Sequence, residues 1–174
     1  SLLKRPHRLR DVFERLVVWS AASGVLWLAG ATLDGDQRLC LWIPALALDK
    51  QGKFLAMRLN WINDMGAYLS PGSIGHIRNT SVCMTGVYRI PALYATFRAP
   101  LTNCTPVGSY RGAGRPDIAY VVERLVNQAA MELNMDAAEL RRLNFIPPEA
   151  FPYKTPTGST YEIADLPGLL KKAL

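Results

Sequence analysis

The chain has 174 residues, 49% hydrophobic and 20% charged, a balance that excludes intrinsic disorder and collagen-like repeats and allows one ordinary domain with a sizeable core. Three cysteines, odd in number and far apart, exclude a disulfide framework or a CxxC metal knuckle and point to a reducing, cytoplasmic setting. The net charge of +6 arises mainly from single basic residues scattered over 43–100, so no nucleic-acid partner is expected, whereas an anionic cofactor or a partner subunit is compatible with it.

In chain order, residues 9–28 carry Val12, Leu16 and Trp19 at helical spacing and predict a helix. The uncharged run Leu16–Leu33 follows Arg5, Arg8, Arg10 and Arg15, which resembles the flank of a signal anchor. Its length is at the lower limit for a bilayer span, and Ser20, Ser23, Gly24, Gly30 and Thr32 dilute its hydrophobicity. It is read as part of a soluble protein, and a membrane is not expected as a partner.

From Arg38 the pattern becomes strand-like. Residues 38–48 and 54–68 flank Asp49-Lys50-Gln51-Gly52, a good hairpin connection. Alternation puts Leu55, Met57, Leu59 and Trp61 on the apolar face. Residues 69–81 read as a Gly-, Pro- and Ser-rich loop with His76 exposed in it, and 82–99 as a strand pair or bent strand interrupted at Pro91.

The last third reads as helical. Ile118, Val121, Val122, Leu125, Val126, Ala129, Ala130 and Leu133 form an apolar stripe on a long amphipathic helix from Pro116 to Asn134. Asp136 caps a second short helix ending near Asn144, residues 151–161 are extended and turn-rich, and Asp165 starts a terminal helix. The predicted fold class is α+β, a mostly antiparallel sheet packed against the long helix.

Chemistry concentrates in Pro106–Pro116, PVGSYRGAGRP. Gly108, Gly112 and Gly114 permit close backbone approach or positive φ. Arg111 and Arg115 offer planar donor forks for anionic oxygen, and the run ends at a helix N-terminus, where free N–H groups favour negative charge. A turn that merely caps the helix is an equal reading on spacing alone. Two histidines and scattered cysteines make a protein-ligated metal site unexpected, Cys83 and Cys104 read as buried apolar fillers, and Ser109 has no His–Asp partner.

The run SYRGAGRPDIAYVVERLVNQAAMELNMDAAELRRLNFI, with NDMGAYLSPG and GVYRIPALYATFRAPLTNCTPVG upstream and FPYKTPTGSTYEIAD downstream, resembles the molybdopterin-binding large subunit of the molybdenum hydroxylases, the xanthine dehydrogenase, aldehyde oxidase and aerobic carbon monoxide dehydrogenase family. The resemblance spans residues 43–174, implying a molybdopterin-binding domain fragment there, and leaves 1–42 as a poorly matched N-terminal segment. It implies a molybdenum–pterin cofactor, with FAD and iron–sulfur clusters on partner subunits, and hydroxylation of a small-molecule substrate at an electron-poor carbon. Arg111 matches the arginine facing metal and substrate, and Gly112, Ala113 and Gly114 match the backbone beside the cofactor. Gly112 stands where the copper-containing carbon monoxide enzymes carry a cysteine, and Ala113 where the purine and aldehyde enzymes place a stacking aromatic. No glutamate of the chain sits in a motif matching the family's catalytic base. The chain therefore reads as a fragment of an oxidoreductase subunit, inactive alone. The alternative is a non-enzymatic interaction module, either tethered to a membrane through residues 16–33 or simply an interaction domain.

Overall fold

The computed structural model describes residues 16–20, 25–29, 32–33 and 40–174. Within them the chain is α+β, with a sheet of order β1-β2-β4-β5-β6. Its strands are β1 (Leu16–Ser20), β2 (Val25–Ala29), β3 (Thr32–Leu33), which pairs β4 off this path, β4 (Cys40–Leu48), β5 (Phe54–Asn63) and β6 (Ala92–Arg98). Every pairing is antiparallel except that of β5 with β6, which is parallel. Residues 16–20 and 25–29 are therefore paired strands and not the helix expected over 9–28, the rest of which lies outside the described residues. No helix of the described residues is long and apolar enough to cross a membrane.

The β4–β5 hairpin forms as its turn chemistry dictates. Asp49 Oδ1 accepts from the amides of Gln51 and Lys53, and Gly52 takes φ 87°. The alternation of β5 is broken once. The register slips at Ala47/Leu48, where Leu48 pairs Phe54 and Ala47 pairs Ala56, so Leu55 has no opposite number. Phe54 therefore turns inward and Leu55 is half-buried, while Met57, Leu59 and Trp61 face the core as expected. Cross-strand partners Trp42 and Trp61 stack at 4.9 Å, and Trp61 meets Phe97 of β6 at 4.7 Å.

Residues expected as a loop over 69–81 form helix α1 (Ser73–Val82). Parallel strands cannot be joined by a hairpin, so β5 must cross over to reach β6, and α1 is that crossover. The expected strand pair over 82–99 reduces to turns, a bridge between Tyr88 and Phe145, and β6.

Helix α2 (Arg115–Leu133) buries Ile118, Val121, Val122, Leu125, Val126, Ala129 and Ala130 against the sheet and ends on Asn134 in left-handed geometry, φ 53°. Asp136 caps α3 (Ala137–Asn144) by accepting from Ala138 and Glu139 amides. A 3-10 turn (Pro148–Ala150), a short hairpin of β7 (Tyr153–Lys154) and β8 (Thr160–Tyr161), and α4 (Leu166–Ala173) complete the chain. Asn144 joins hairpin to helix. Its Oδ1 accepts from the Phe54 amide, and its Nδ2 donates to Gly52 and Leu140 carbonyls.

Candidate functional site

The loops leaving the carboxyl ends of the parallel strands β5 and β6 lie side by side, the place where open sheets of this kind offer a crevice to ligands. Met65 N donates to Pro100 O, Thr102 N to Gly66 O, Ala67 N to Cys104 O and Val107 N to Met65 O. Asp64 anchors the junction: its Oδ1 accepts from the Gly66 amide at 2.8 Å and from the Thr102 hydroxyl at 2.7 Å. Burial alone would push the Asp64 carboxyl up, but these bonds and one from the Cys104 thiol outweigh it and hold the group below the ordinary carboxylate range. Gly66, at φ 74°, lies so close to Thr105 and Pro106 backbone that a Cβ would overlap them.

Against this base the run 106–115 is tied along α1. Ser73 Oγ donates to Val107 O at 2.5 Å, and Ser109 Oγ donates to Gly72 O. On the far arm, Thr80 Oγ1 donates to Gly114 O at 3.3 Å, and His76 Nε2 donates to Asp117 Oδ2 at 2.6 Å. Between the ties the chain makes a compact turn, with Ala113 N bonded to Tyr110 O and Arg115 N to Gly112 O. Gly112, Ala113 and Gly114 all have positive φ, at 95°, 31° and 83°. For Ala113 this conformation costs about 1–3 kcal/mol, a strain that persists only where the surroundings over-determine it.

The predicted site residues do not share one environment. Tyr110 is 90% exposed and Arg111 is exposed, so both project at the turn's tip. Gly112 and Ala113 are half-buried. Gly114 is buried, facing α1: a Cβ there would overlap Thr80 Oγ1 and the His76 carbonyl. Neither Arg111 nor Arg115 forms an ion pair with the described residues. Two unengaged guanidinium forks, one at the turn's tip and one at the first position of α2, fit an oxygen-rich anionic group.

Three side chains stand differently from expectation. His76 is a helical residue with a side chain only 16% exposed, not an exposed loop residue. Cys104 is exposed rather than buried, because its loop crosses the surface beside Asp64, and Cys83 is half-buried. No group of three or more His, Cys, Asp or Glu among the described residues is arranged to hold a metal ion. Asp64 and the pairing of His76 with Asp117 are the contributions that sequence reasoning missed. Only Asp64 carried a local signal, an Asp two residues before a glycine whose amide it can accept.

The sequence matches the family model of the molybdopterin cofactor-binding domain over residues 32–145. It is 37% identical over 138 residues to the carbon monoxide dehydrogenase large chain of Hydrogenophaga pseudoflava, covering 74% of this chain and 16% of that one. It is 36% identical to the 6-hydroxypseudooxynicotine dehydrogenase complex subunit gamma of Paenarthrobacter nicotinovorans, covering 62% and 14%. Among solved structures, quinoline 2-oxidoreductase from Pseudomonas putida 86 superposes with a TM-score of 0.71 at 31% identity, over 77% of this chain and 17% of that one. The Cu,Mo-CO dehydrogenase superposes with a TM-score of 0.69 at 34% identity, over 78% and 17%. The chain thus spans about one-sixth of the length of the curated relatives it matches first.

Proposed function

The chain belongs to the family of molybdopterin cofactor-binding domains, and on that premise we propose that residues 43–174 form part of the cofactor and substrate pocket of a molybdenum-dependent oxidoreductase large subunit. The observation that carries this reading is the tip Tyr110–Gly114, which projects positive charge unpaired among the described residues from a turn braced on both sides. When bound, the molybdenum–pterin cofactor supplies the redox chemistry; the residues of the chain supply binding, orientation and charge.

In this proposal Arg111 faces the cofactor's anionic groups or the substrate and stabilises negative charge developing there. Gly112 and Ala113 bring backbone alongside, on the amphipathic helix α2 as strut, and Gly114 seats the turn on α1. The substrate is a small molecule oxidised in the cytoplasm, and electrons leave through iron–sulfur and FAD-carrying partners. Gly112 supplies no sulfur ligand, so copper-dependent carbon monoxide chemistry is not part of the proposal. As one portion of a larger subunit, the chain alone is inactive.

The test is turnover normalised to bound molybdenum in the complete subunit. Arg111→Lys keeps the charge but loses the fork, and normalised turnover should fall about 10²–10³-fold. Gly112→Val should instead reduce cofactor loading, because its branched Cβ is penalised at φ 95° and blocks close approach. Unaltered normalised turnover in Arg111→Lys would retire the assignment.

A further inference from the structure

We propose that His76 is a positioning residue that fixes the direction of the Tyr110–Gly114 turn through its bond to Asp117, an inference that rests on the reading of that turn as the site. Helix α1 buries only Ser73 and Thr80 fully, and of its apolar residues Ile77 packs half-buried against the core. Its polar contacts, in contrast, converge on one segment: Gly72, Ser73, His76 and Thr80 all bond to residues between Val107 and Asp117. The turn is internally closed by its own backbone bonds and runs directly into α2, so the first turn of α2 sets where Arg111 points.

Two ties hold that first turn to α1. The Thr80 bond to Gly114 is long, 3.3 Å, and neutral. The His76–Asp117 bond is short, 2.6 Å, and ends on a carboxylate, the stronger class by about twofold. The other ring nitrogen, Nδ1, is enclosed and finds no hydrogen-bond partner among the described residues. The imidazole is thus held by polar contact at one atom, and that atom's partner is Asp117. A glutamine, whose amide reaches a similar distance from the backbone, can supply the same donor.

Limited trypsin digestion of the full chain tests this without any cofactor. Arg111 offers the turn's one tryptic bond, since Arg115 precedes Pro116, and Arg124 within α2 reports general opening of that helix. Loss of a charge-assisted bond should accelerate cleavage after Arg111 about tenfold relative to Arg124 in His76→Ala. Asp117→Ala should match it, the double variant should cleave no faster than either single one, and His76→Gln should cleave within about twofold of the parent rate. Asp117→Ala carries the test if His76→Ala fails to fold. Equal acceleration at Arg111 and Arg124, no acceleration at Arg111, additive effects, or a His76→Gln chain as labile as His76→Ala would each overturn the proposal. Because the readout is backbone protection, its failure leaves the cofactor reading standing, and an unaltered Arg111→Lys turnover leaves the brace standing.

Discussion

Asp64 ties the stability of the fold to pH. Its carboxylate is depressed in the folded chain by donors that the unfolded chain lacks. The stabilisation it gives is therefore complete above the ordinary carboxylate range and is lost as pH falls through the folded value. Asp64→Asn can still accept at one oxygen but carries no charge. The stability gap between parent and variant, read from urea midpoints, should be widest near neutrality and narrow below about pH 4. A gap that stays constant across that range would mean the charge contributes nothing. At the same scale, Gly112 and Gly114 need their lack of side chain for different reasons. Gly112 has positive φ beside the Pro116 ring, whereas Gly114 has positive φ and a helix backbone against it. The sequence shows three glycines within a short run, not which of them is packed and which is presented.

Elements whose ends are set by local chemistry were legible. The Asp49–Gly52 turn, the Asp136 and Asp165 caps and the left-handed Asn134 follow from neighbours a few residues apart. Helix α1 was not legible, since SIGHIRNTSV has no apolar stripe, no side-chain cap and two poor helix formers in its first turns; only the crossover demands it. Its bond to Asp117 joins residues 41 apart, beyond any periodic signal, and the same holds for Asn144, which lies 90 residues from Phe54. In the N-terminal apolar run a helical stripe and two short strands share one composition, so its periodicity does not separate them. Asn144 gives the element-scale prediction. Asn144→Ala strands the Phe54 amide and the Gly52 carbonyl in the core, and stability should fall by about 3 kcal/mol with an unchanged urea slope. A loss below about 1 kcal/mol would mean that water or local movement satisfies both groups.

For the molecule as a whole, the single parallel pairing of the described sheet sets an order of assembly. Strand β5 reaches β4 across the short connection 49–53 but reaches β6 only across 64–91. Closing the longer connection costs about 1.5 kcal/mol more in chain entropy, and no contact offsets it until the ends meet. The antiparallel hairpin should therefore form in the folding transition state, and the parallel join after it. Leu46→Ala should chiefly slow folding, whereas Ser109→Ala, which loosens the turn on α1, should chiefly speed unfolding; chevron analysis separates the two. Both changes acting on the folding limb alike would contradict this order.

What closes last tends to open first, so the segment that presents Arg111 would be exposed to proteases while the Trp42–Trp61 stack is still intact. A chain of this design would wear out from the Tyr110–Gly114 turn, losing that turn well before its sheet.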